Sequence, residues 1–304
     1  MDKYFEDNYI SVVLTVKNNE ETIEKKVLSV LKTLKENFKN YELIIVDNMS
    51  SDSTLKKLYA IDERFTIVEL PTEHDMQSAL TAGVNAAIGD YIVEIENIND
   101  IYDFNILMDM YKICQEGNDF VFLAPKRTSF FSKMFYKMLN NNLKHSGIKS
   151  DITSSIATLS SRRGQNKTFE VGNKLVNRNV SYILSGLKYQ SVIYDYDYKN
   201  SRSFSENLNL MFQTMIYYTD AFIKLSQNIS LALFFVSVFL IFYSLYFKFF
   251  KNAAAGWTST MIVICMGFSA LFLMGGLILR YLYNILKNVS DSKQYNYKSI
   301  TRKE

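Results

Sequence analysis

The sequence has few of the residues that carry the commonest metal, redox and nucleic-acid chemistries. Among 304 residues there are two cysteines, two histidines and one tryptophan. Cys114 falls in a helical pattern and Cys265 in an apolar run, which argues against a disulfide framework and fits a cytosolic soluble part. His74 and His145 have no cysteine or histidine neighbours at zinc-ligand spacing, so no structural zinc site is expected. There is no G-x-G-x-x-G and no P-loop, which argues against the common modes of dinucleotide and ATP binding. A net charge of +3, with no basic block interleaved with aromatics, gives no reason to expect a nucleic-acid partner. The opening MDKYFEDNYI is acidic and lacks an apolar core, so no cleaved signal peptide is expected.

What the sequence does have is apolar length, concentrated after residue 228. Residues 229–247, ISLALFFVSVFLIFYSLYF, run for 19 positions without a charge, and residues 252–279 are also uncharged. Each is long enough for a hydrocarbon core of about 30 Å, which takes about 20 helical residues. The short connector KFFKNAAAGW makes the pair a hairpin with both flanks on one side. The tail carries Arg280, Lys287, Lys293, Lys298, Arg302 and Lys303 against Asp291 and Glu304. That bias places the tail, and with it the N-terminal domain, on the cytoplasmic side of the inner membrane. Lys248 and Lys251 oppose this weakly and can snorkel to the far interface. Ahead of the first span, Leu208, Met211, Phe212, Met215, Tyr218, Phe222 and Leu225 recur at helical spacing. Such a helix either lies in the membrane interface or packs on the soluble domain. SFFSKMFYKML (129–139) is a second segment of that kind. The expected division is a soluble domain over 1–205, an amphipathic helix over 206–227, two membrane helices within 228–286 (about 229–250 and 257–280), and a basic tail over 287–304.

Residues 9–125 alternate strand and helix patterns. YISVVLTV, YELIIVD, FTIVEL, YIVEIE and DFVFLA are apolar β-rich runs separated by amphipathic stretches. This is an α/β pattern, with a mainly parallel sheet covered by helices on both faces. Ligands of such sheets bind beyond the carboxyl ends of the strands. Those ends are polar: Thr15, Lys17, Asn18 and Glu20 after the first run; Asp47, Ser50 and Asp52 after the second; Glu96 and Asp100 after the fourth. Asp47 can accept hydrogen bonds from a base or ribose, and the fourth cluster can hold a divalent cation against a diphosphate. The same residue types also build turns and helix caps.

These segments resemble the family 2 glycosyltransferases of GT-A fold. SVVLTVKNNEETI is similar to that family's first strand and loop, VDNMSSDST to its second-strand signature, and SALTAGVNAAIGDYIV to the approach to its acidic motif. GWTS at 256–259 followed by MGGLILRYLYNILKNV resembles the hairpin of bacterial polyprenyl-phosphate glycosyltransferases, the bactoprenol type. The resemblance implies a nucleotide-diphosphate sugar as donor, bound by Thr15, Lys17, Asn18, Glu20, Asp47, Ser50 and Asp52. It implies a membrane polyprenyl phosphate as acceptor, for cell-envelope glycan synthesis or modification, and Mg²⁺ or Mn²⁺ at Glu96 and Asp100. Arg127, in Pro125-Lys126-Arg127, and Arg202 are similar in position to arginines that serve catalysis, and a homo-oligomer is compatible with the family. The departures are specific. Ile98 stands where the second Asp of an Asp-x-Asp is expected, Met76 where a lysine is common, and Thr15 where a proline is usual. No Gln-x-x-Arg-Trp motif of a processive synthase is present. The alternative to an active transferase is a catalytically impaired GT-A-like subunit that binds or scaffolds. SGLKYQSVIYDYDYK contains a strand pattern that can close the donor site, but residues 140–200 carry no readable motif.

Overall fold

The computed structural model describes residues 5–145, 151–171, 175–197, 204–219, 221–250, 256–289 and 299–302. In chain order the elements are β1 (Glu6–Val16), α1 (Ile23–Asn37), β2 (Phe38–Asp47), α2 (Thr54–Ala60), β3 (Thr66–Glu69), α3 (Met76–Ala86) and β4 (Tyr91–Ile95). After a 3₁₀ turn at Ile98–Asp100 come α4 (Ile106–Gln115), β5 (Phe120–Arg127), α5 (Phe130–His145), β6 (Ala157–Ser161), α6 (Arg162–Val171), α7 (Arg178–Leu184) and β7 (Tyr189–Asp197). The chain ends with α8 (Phe204–Tyr218), α9 (Ala221–Phe250), α10 (Trp257–Val289) and β8 (Ser299–Arg302). It forms two compact units, Met1–Met211 with Asp291–Glu304, and Phe212–Ser290.

The first unit is built on one sheet of order β7-β5-β6-β4-β1-β2-β3-β8. β1, β2, β3 and β4 run parallel. β6 lies antiparallel between β4 and β5, which restores β5 and β7 to the direction of β1. The carboxyl ends of β1, β2, β3, β4, β5 and β7 therefore share one edge. Side chains alternate between the faces of a strand, and the core divides accordingly. Val12, Leu14, Leu43 and Ile45 pack with Val27, Leu31, Leu34 and Leu107 of α1 and α4. Val13, Ile44 and Val46 pack with Ala79, Leu80 and Ala82 of α3 on the other face. Helices cover both faces, as the apolar strand runs imply.

The approach of α3 to the sheet depends on Gly83. A Cβ there would stand 2.3 Å from Val13 Cγ1 and 2.7 Å from Val46 Cγ2. Overpacking of this kind costs about 1–3 kcal/mol. Gly83→Ala is expected to lower unfolding free energy by about 2 kcal/mol in denaturant titration. A loss within the error of that titration would mean that α3 does not need this contact.

Two features of the sheet were not read from the sequence, and one helix differs from its expectation. The fifth apolar strand is not the neighbour of the fourth, because β6, formed by the weakly apolar ATLSS, inserts between them. The strand pattern in SGLKYQSVIYDYDYK forms β7, at the edge of the sheet beside β5. The amphipathic helix expected over 206–227 is interrupted. α8 ends at Tyr218, where the Thr219 N–H and hydroxyl both bond the Met215 carbonyl at 3.1 and 2.6 Å, and α9 starts at Ala221.

In the second unit α9 and α10 pack along each other, with Gly276 against Ser230, where a Cβ would lie 3.4 Å from the serine Cβ. Small residues permit such helix–helix approach. Lys224–Phe250 and Trp257–Tyr283 are each 27 residues long and apolar enough to cross a membrane. Their large side chains are turned outward, Phe239 66% and Leu277 68% exposed, which a water-excluded core helix would not tolerate.

Candidate active site

The edge shared by the parallel strands collects most of the candidate residues. The loops after β1 and β2 are laced to each other. The Asn18 N–H donates to Ser50 Oγ (3.1 Å), the Ser51 N–H to Asn18 Oδ1 (2.8 Å) and the Asn19 N–H to Thr54 Oγ1 (2.8 Å). The Glu20 N–H donates to Asp52 Oδ2 (3.1 Å), and the Ser53 N–H returns a bond to Glu20 Oε2 (2.9 Å). Asn18 and Met49 take left-handed backbone conformations, φ 53° and 62°. Asparagine tolerates that region; methionine adopts it at a cost and only where surrounding contacts hold it. Thr15 is buried and bridges strands, its hydroxyl donating to the Glu96 carbonyl at 2.8 Å. Lys17 forms a partly exposed ion pair with Glu73 at 2.5 Å.

The two carboxylates of the second loop behave oppositely. Burial opposes ionisation of Asp52, but hydrogen bonds from Thr54 and from the Glu20 N–H outweigh it and hold the carboxyl below its ordinary range. Burial pushes Asp47 above that range, and bonds from Ser50 offset the shift only in part. Asp47 is 2% exposed; its Oδ2 accepts the Ser50 N–H at 3.2 Å, while its Oδ1 is buried with no hydrogen-bond partner among the described residues. A buried acceptor left without a donor costs about 1–3 kcal/mol. Asp47 is therefore a strained acceptor at the strand edge, whereas Glu20 and Asp52 have carboxylate oxygens bonded to loop amides.

The loop after β4 carries the acidic candidates. Glu96 Oε1 accepts from Gln77 Nε2 at 3.1 Å. Asp100 is buried and accepts from Asn97 Nδ2 at 3.3 Å. Ile98, in place of an expected ligand, is fully buried in the core. Among the described residues no group of three or more His, Cys, Asp or Glu is arranged to hold a metal. The loop does offer hard oxygen atoms, including Asn99 Oδ1, which is buried with no hydrogen-bond partner among the described residues. Mg²⁺ and Mn²⁺ are held by one or two carboxylates with the remaining ligands from water and substrate phosphates. Glu96, Asn99 and Asp100 fit a cation shared with a diphosphate, not a cage made by protein alone.

Arg127 ends β5 on the same edge, exposed, next to Lys126, which pairs with Asp195 at 3.0 Å. Four strand spacings separate β2 from β5 in the sheet order, roughly 19 Å at 4.8 Å each. Arg202 lies outside the described residues.

One buried cluster was not legible in advance. Arg178, 2% exposed, forms an ion pair with Glu94, 3% exposed in mid-β4, and donates to Thr81 Oγ1 at 2.8 Å and to the Tyr182 hydroxyl. Gln165 Nε2 donates to Glu94 at 2.7 Å, and the Arg178 N–H donates to Gln77 Oε1 at 3.0 Å. Burial opposes the charge on Arg178, but the Glu94 carboxylate more than offsets it and holds the guanidinium protonated. Gln77 thus connects this network to Glu96. Glu94, set among the apolar residues of YIVEI, signals a buried cation partner, but nothing in the sequence says that residue 178 supplies it.

Comparison with known proteins bears on the family and the fold. Residues 11–146 match the family model Glycosyl transferase family 2. The chain is 25% identical to the uncharacterized glycosyltransferase YkcC of Bacillus subtilis, over 94% of this chain and 92% of that one. It is 29% identical to an undecaprenyl-phosphate 4-deoxy-4-formamido-L-arabinose transferase of Proteus mirabilis, over 46% and 44% of the two chains. In fold it is similar to glucosyl-3-phosphoglycerate synthase of Mycobacterium tuberculosis, crystallised with Mn²⁺, uridine diphosphate and phosphoglyceric acid. That likeness has TM-score 0.53 and 21% identity, and covers 69% and 76% of the chains. Residues 11–146 match a family 2 glycosyltransferase domain, and the sheet that holds them is GT-A-like.

Proposed function

We propose that this chain transfers a sugar from a nucleotide-diphosphate sugar to a polyprenyl phosphate in the membrane, on its cytoplasmic face, in cell-envelope glycan synthesis or modification. The observation that carries the donor half is the Oδ1 of buried Asp47, without a partner among the described residues and suited to accept from an N–H of a nucleobase. With the base at β2, the diphosphate and sugar lie across the ends of β1 and β4, towards the cationic end of β5. The acceptor half is supported by the two apolar helices and by the similarity to an undecaprenyl-phosphate transferase.

In the reaction an acceptor phosphate oxygen bonds to the anomeric carbon of the sugar as the bond from that carbon to the donor diphosphate breaks. The nucleoside diphosphate leaves with the electron pair. A phosphate acceptor is already ionised and needs no strong general base. Arg127 lies where a guanidinium can hold the acceptor phosphate. A divalent cation at Glu96, Asn99 and Asp100 would supply charge stabilisation to the departing diphosphate.

The donor assignment has a pH signature. The folded-state pKa of Asp47 is raised above 3.8. Its contribution to stability is therefore full below that value and is lost as pH rises through the raised pKa. A ligand N–H that bonds the ionised form recovers the loss. The thermal shift produced by a nucleoside diphosphate is expected to be larger at neutral pH than near 3.8, and Asp47→Asn is expected to remove most of that difference. A pH-independent shift that survives in Asp47→Asn would withdraw the base from this carboxylate.

A further inference from the structure

The basic tail expected over 287–304 ends in an ordered element. Ser299–Arg302 forms β8, which pairs antiparallel with β3 alone and borders the sheet on that side. The register sets Arg302 opposite Thr66 and Ser299 opposite Glu69. Thr66 opens β3, so Arg302 stands at the amino ends of the parallel strands, at the edge opposite the loops after β1 and β2. There it lines an open cavity of about 490 Å³, together with Arg64, Tyr9, Tyr41, Glu42 and Ile88. Arg64 has no hydrogen bond or ion pair among the described residues, and Arg302 has no ion pair among them. Glu63, next to Arg64, is already paired with Lys35 at 2.5 Å. Glu42 is the one acidic residue of the lining among the described residues, and its Oε1 accepts from the Ser11 hydroxyl at 2.6 Å and the Ile88 N–H at 2.7 Å. Burial and Glu42 push the Tyr9 phenol above its ordinary range, and the Arg302 guanidinium offsets part of that shift. Two guanidiniums thus border one cavity with no carboxylate among the described residues paired to either. Like charges repel, and a tetrahedral oxyanion matches the planar donor forks of both.

We propose that this cavity binds a small phosphate-bearing anion between Arg64 and Arg302, and that the bound anion fastens the C-terminal strand to the body of the sheet. Arg64 belongs to the segment that enters β3 and Arg302 to the tail, so one anion bridges two parts of the chain that are distant in sequence. The cavity is of the size that small-molecule sites have. β8 has four residues and a single pairing partner, and short edge elements of that kind open locally at little cost. The other end of the strand reaches the far edge. There Ser299 Oγ donates to Glu69 Oε1 at 3.1 Å, beside Leu70, whose N–H bonds the Asp47 carbonyl at 3.1 Å. An anion held at one edge would therefore steady a strand that ends close to Asp47 at the other.

The test is hydrogen exchange of the full-length protein in detergent, read by mass spectrometry on the peptide that contains Ser299–Arg302. Inorganic phosphate is compared with chloride at equal ionic strength. Two charge-assisted contacts correspond to a dissociation constant of about 1 mM. At about 10 mM phosphate, an anion that binds only the paired strand slows exchange by about tenfold. That slowing is expected in the unaltered protein and in Lys56→Gln, an exposed control on α2. It is expected to vanish in Arg64→Gln and in Arg302→Gln. Arg64 lies outside β8, so its effect cannot come from the strand's own pairing. No slowing in phosphate, equal slowing in chloride, or slowing that survives in Arg64→Gln would each overturn the proposal. Separate titrations with glycerol phosphate and with a short-chain phosphatidic acid distinguish a free metabolite from a lipid headgroup. Whichever saturates at the lower concentration identifies the source, and both results keep the phosphate between the two arginines. The readout requires no sugar donor and no turnover, so it stands or falls apart from the transferase reading.

Discussion

Asp47→Ala is expected to weaken binding of the nucleotide-sugar donor by about 10- to 100-fold. Hydrogen bonds to a charged group contribute about 1.5–3 kcal/mol, and each 1.4 kcal/mol is a factor of ten. The substitution removes the only acceptor at the end of β2 that is both buried and left unpartnered among the described residues, Asp47 Oδ1. It also removes a group that costs the empty protein stability, so the variant should fold at least as well while binding worse. That pairing distinguishes a ligand acceptor from a structural carboxylate. Asp52→Ala is the contrast. Its carboxyl is stabilised in the ionised form by Thr54 and the Glu20 N–H, so its loss loosens the loops and lowers stability along with affinity. Calorimetric titration with nucleoside diphosphates, beside thermal denaturation, separates the two. Unchanged affinity in Asp47→Ala would refute the assignment.

Arg178→Met is expected to lower the thermal midpoint by roughly 10 °C. Removing one partner of a buried ion pair costs about 3–5 kcal/mol, and a domain of this size loses about 2–4 °C per kcal/mol. Arg178 and Glu94 are both almost fully buried, and the arginine joins α3, β4 and α7 through Thr81, Glu94 and Tyr182. Most of the penalty is the Glu94 charge left without a cation. Glu94→Leu added to Arg178→Met should therefore recover a large part of the lost stability, a coupling that a double-mutant cycle measures directly. Additive losses in the double variant would mean that the pair is not the source of the effect.

The parallel part of the fold was legible because its signal is local. β1, β2, β3 and β4 are apolar runs flanked by amphipathic helices, and each appears within a few residues of its expected bounds. The two long helices were legible for the same reason. The far half of the sheet was not. β6 reads ATLSS, with only two apolar residues, and its burial comes from β4 and β5 on either side. Nothing within five residues encodes that position. The division of α8 from α9 was equally hidden, because apolar spacing continues across Thr219. At the site, the sequence located the acidic and polar clusters but not their separate duties. Thr15, Glu20, Asp47 and Asp52 are alike as turn-forming polar residues. Only burial and hydrogen-bond partners distinguish Asp47, with an open acceptor, from the others, which hold the loops. The Ile98 departure was visible in sequence; that Asn99 leaves a buried oxygen beside it was not.

The most direct test of the transferase reading is turnover with both substrates present. Purified full-length protein would be incubated with polyprenyl phosphate and a panel of nucleotide sugars, with Mg²⁺ or Mn²⁺ and with chelator. The expected result is release of nucleoside diphosphate together with a glycosylated lipid phosphate for at least one donor, strongly reduced in Asp47→Ala. No product with any donor, combined with no binding of any nucleoside diphosphate, would contradict it and leave the GT-A-like domain as a scaffold without the transfer chemistry.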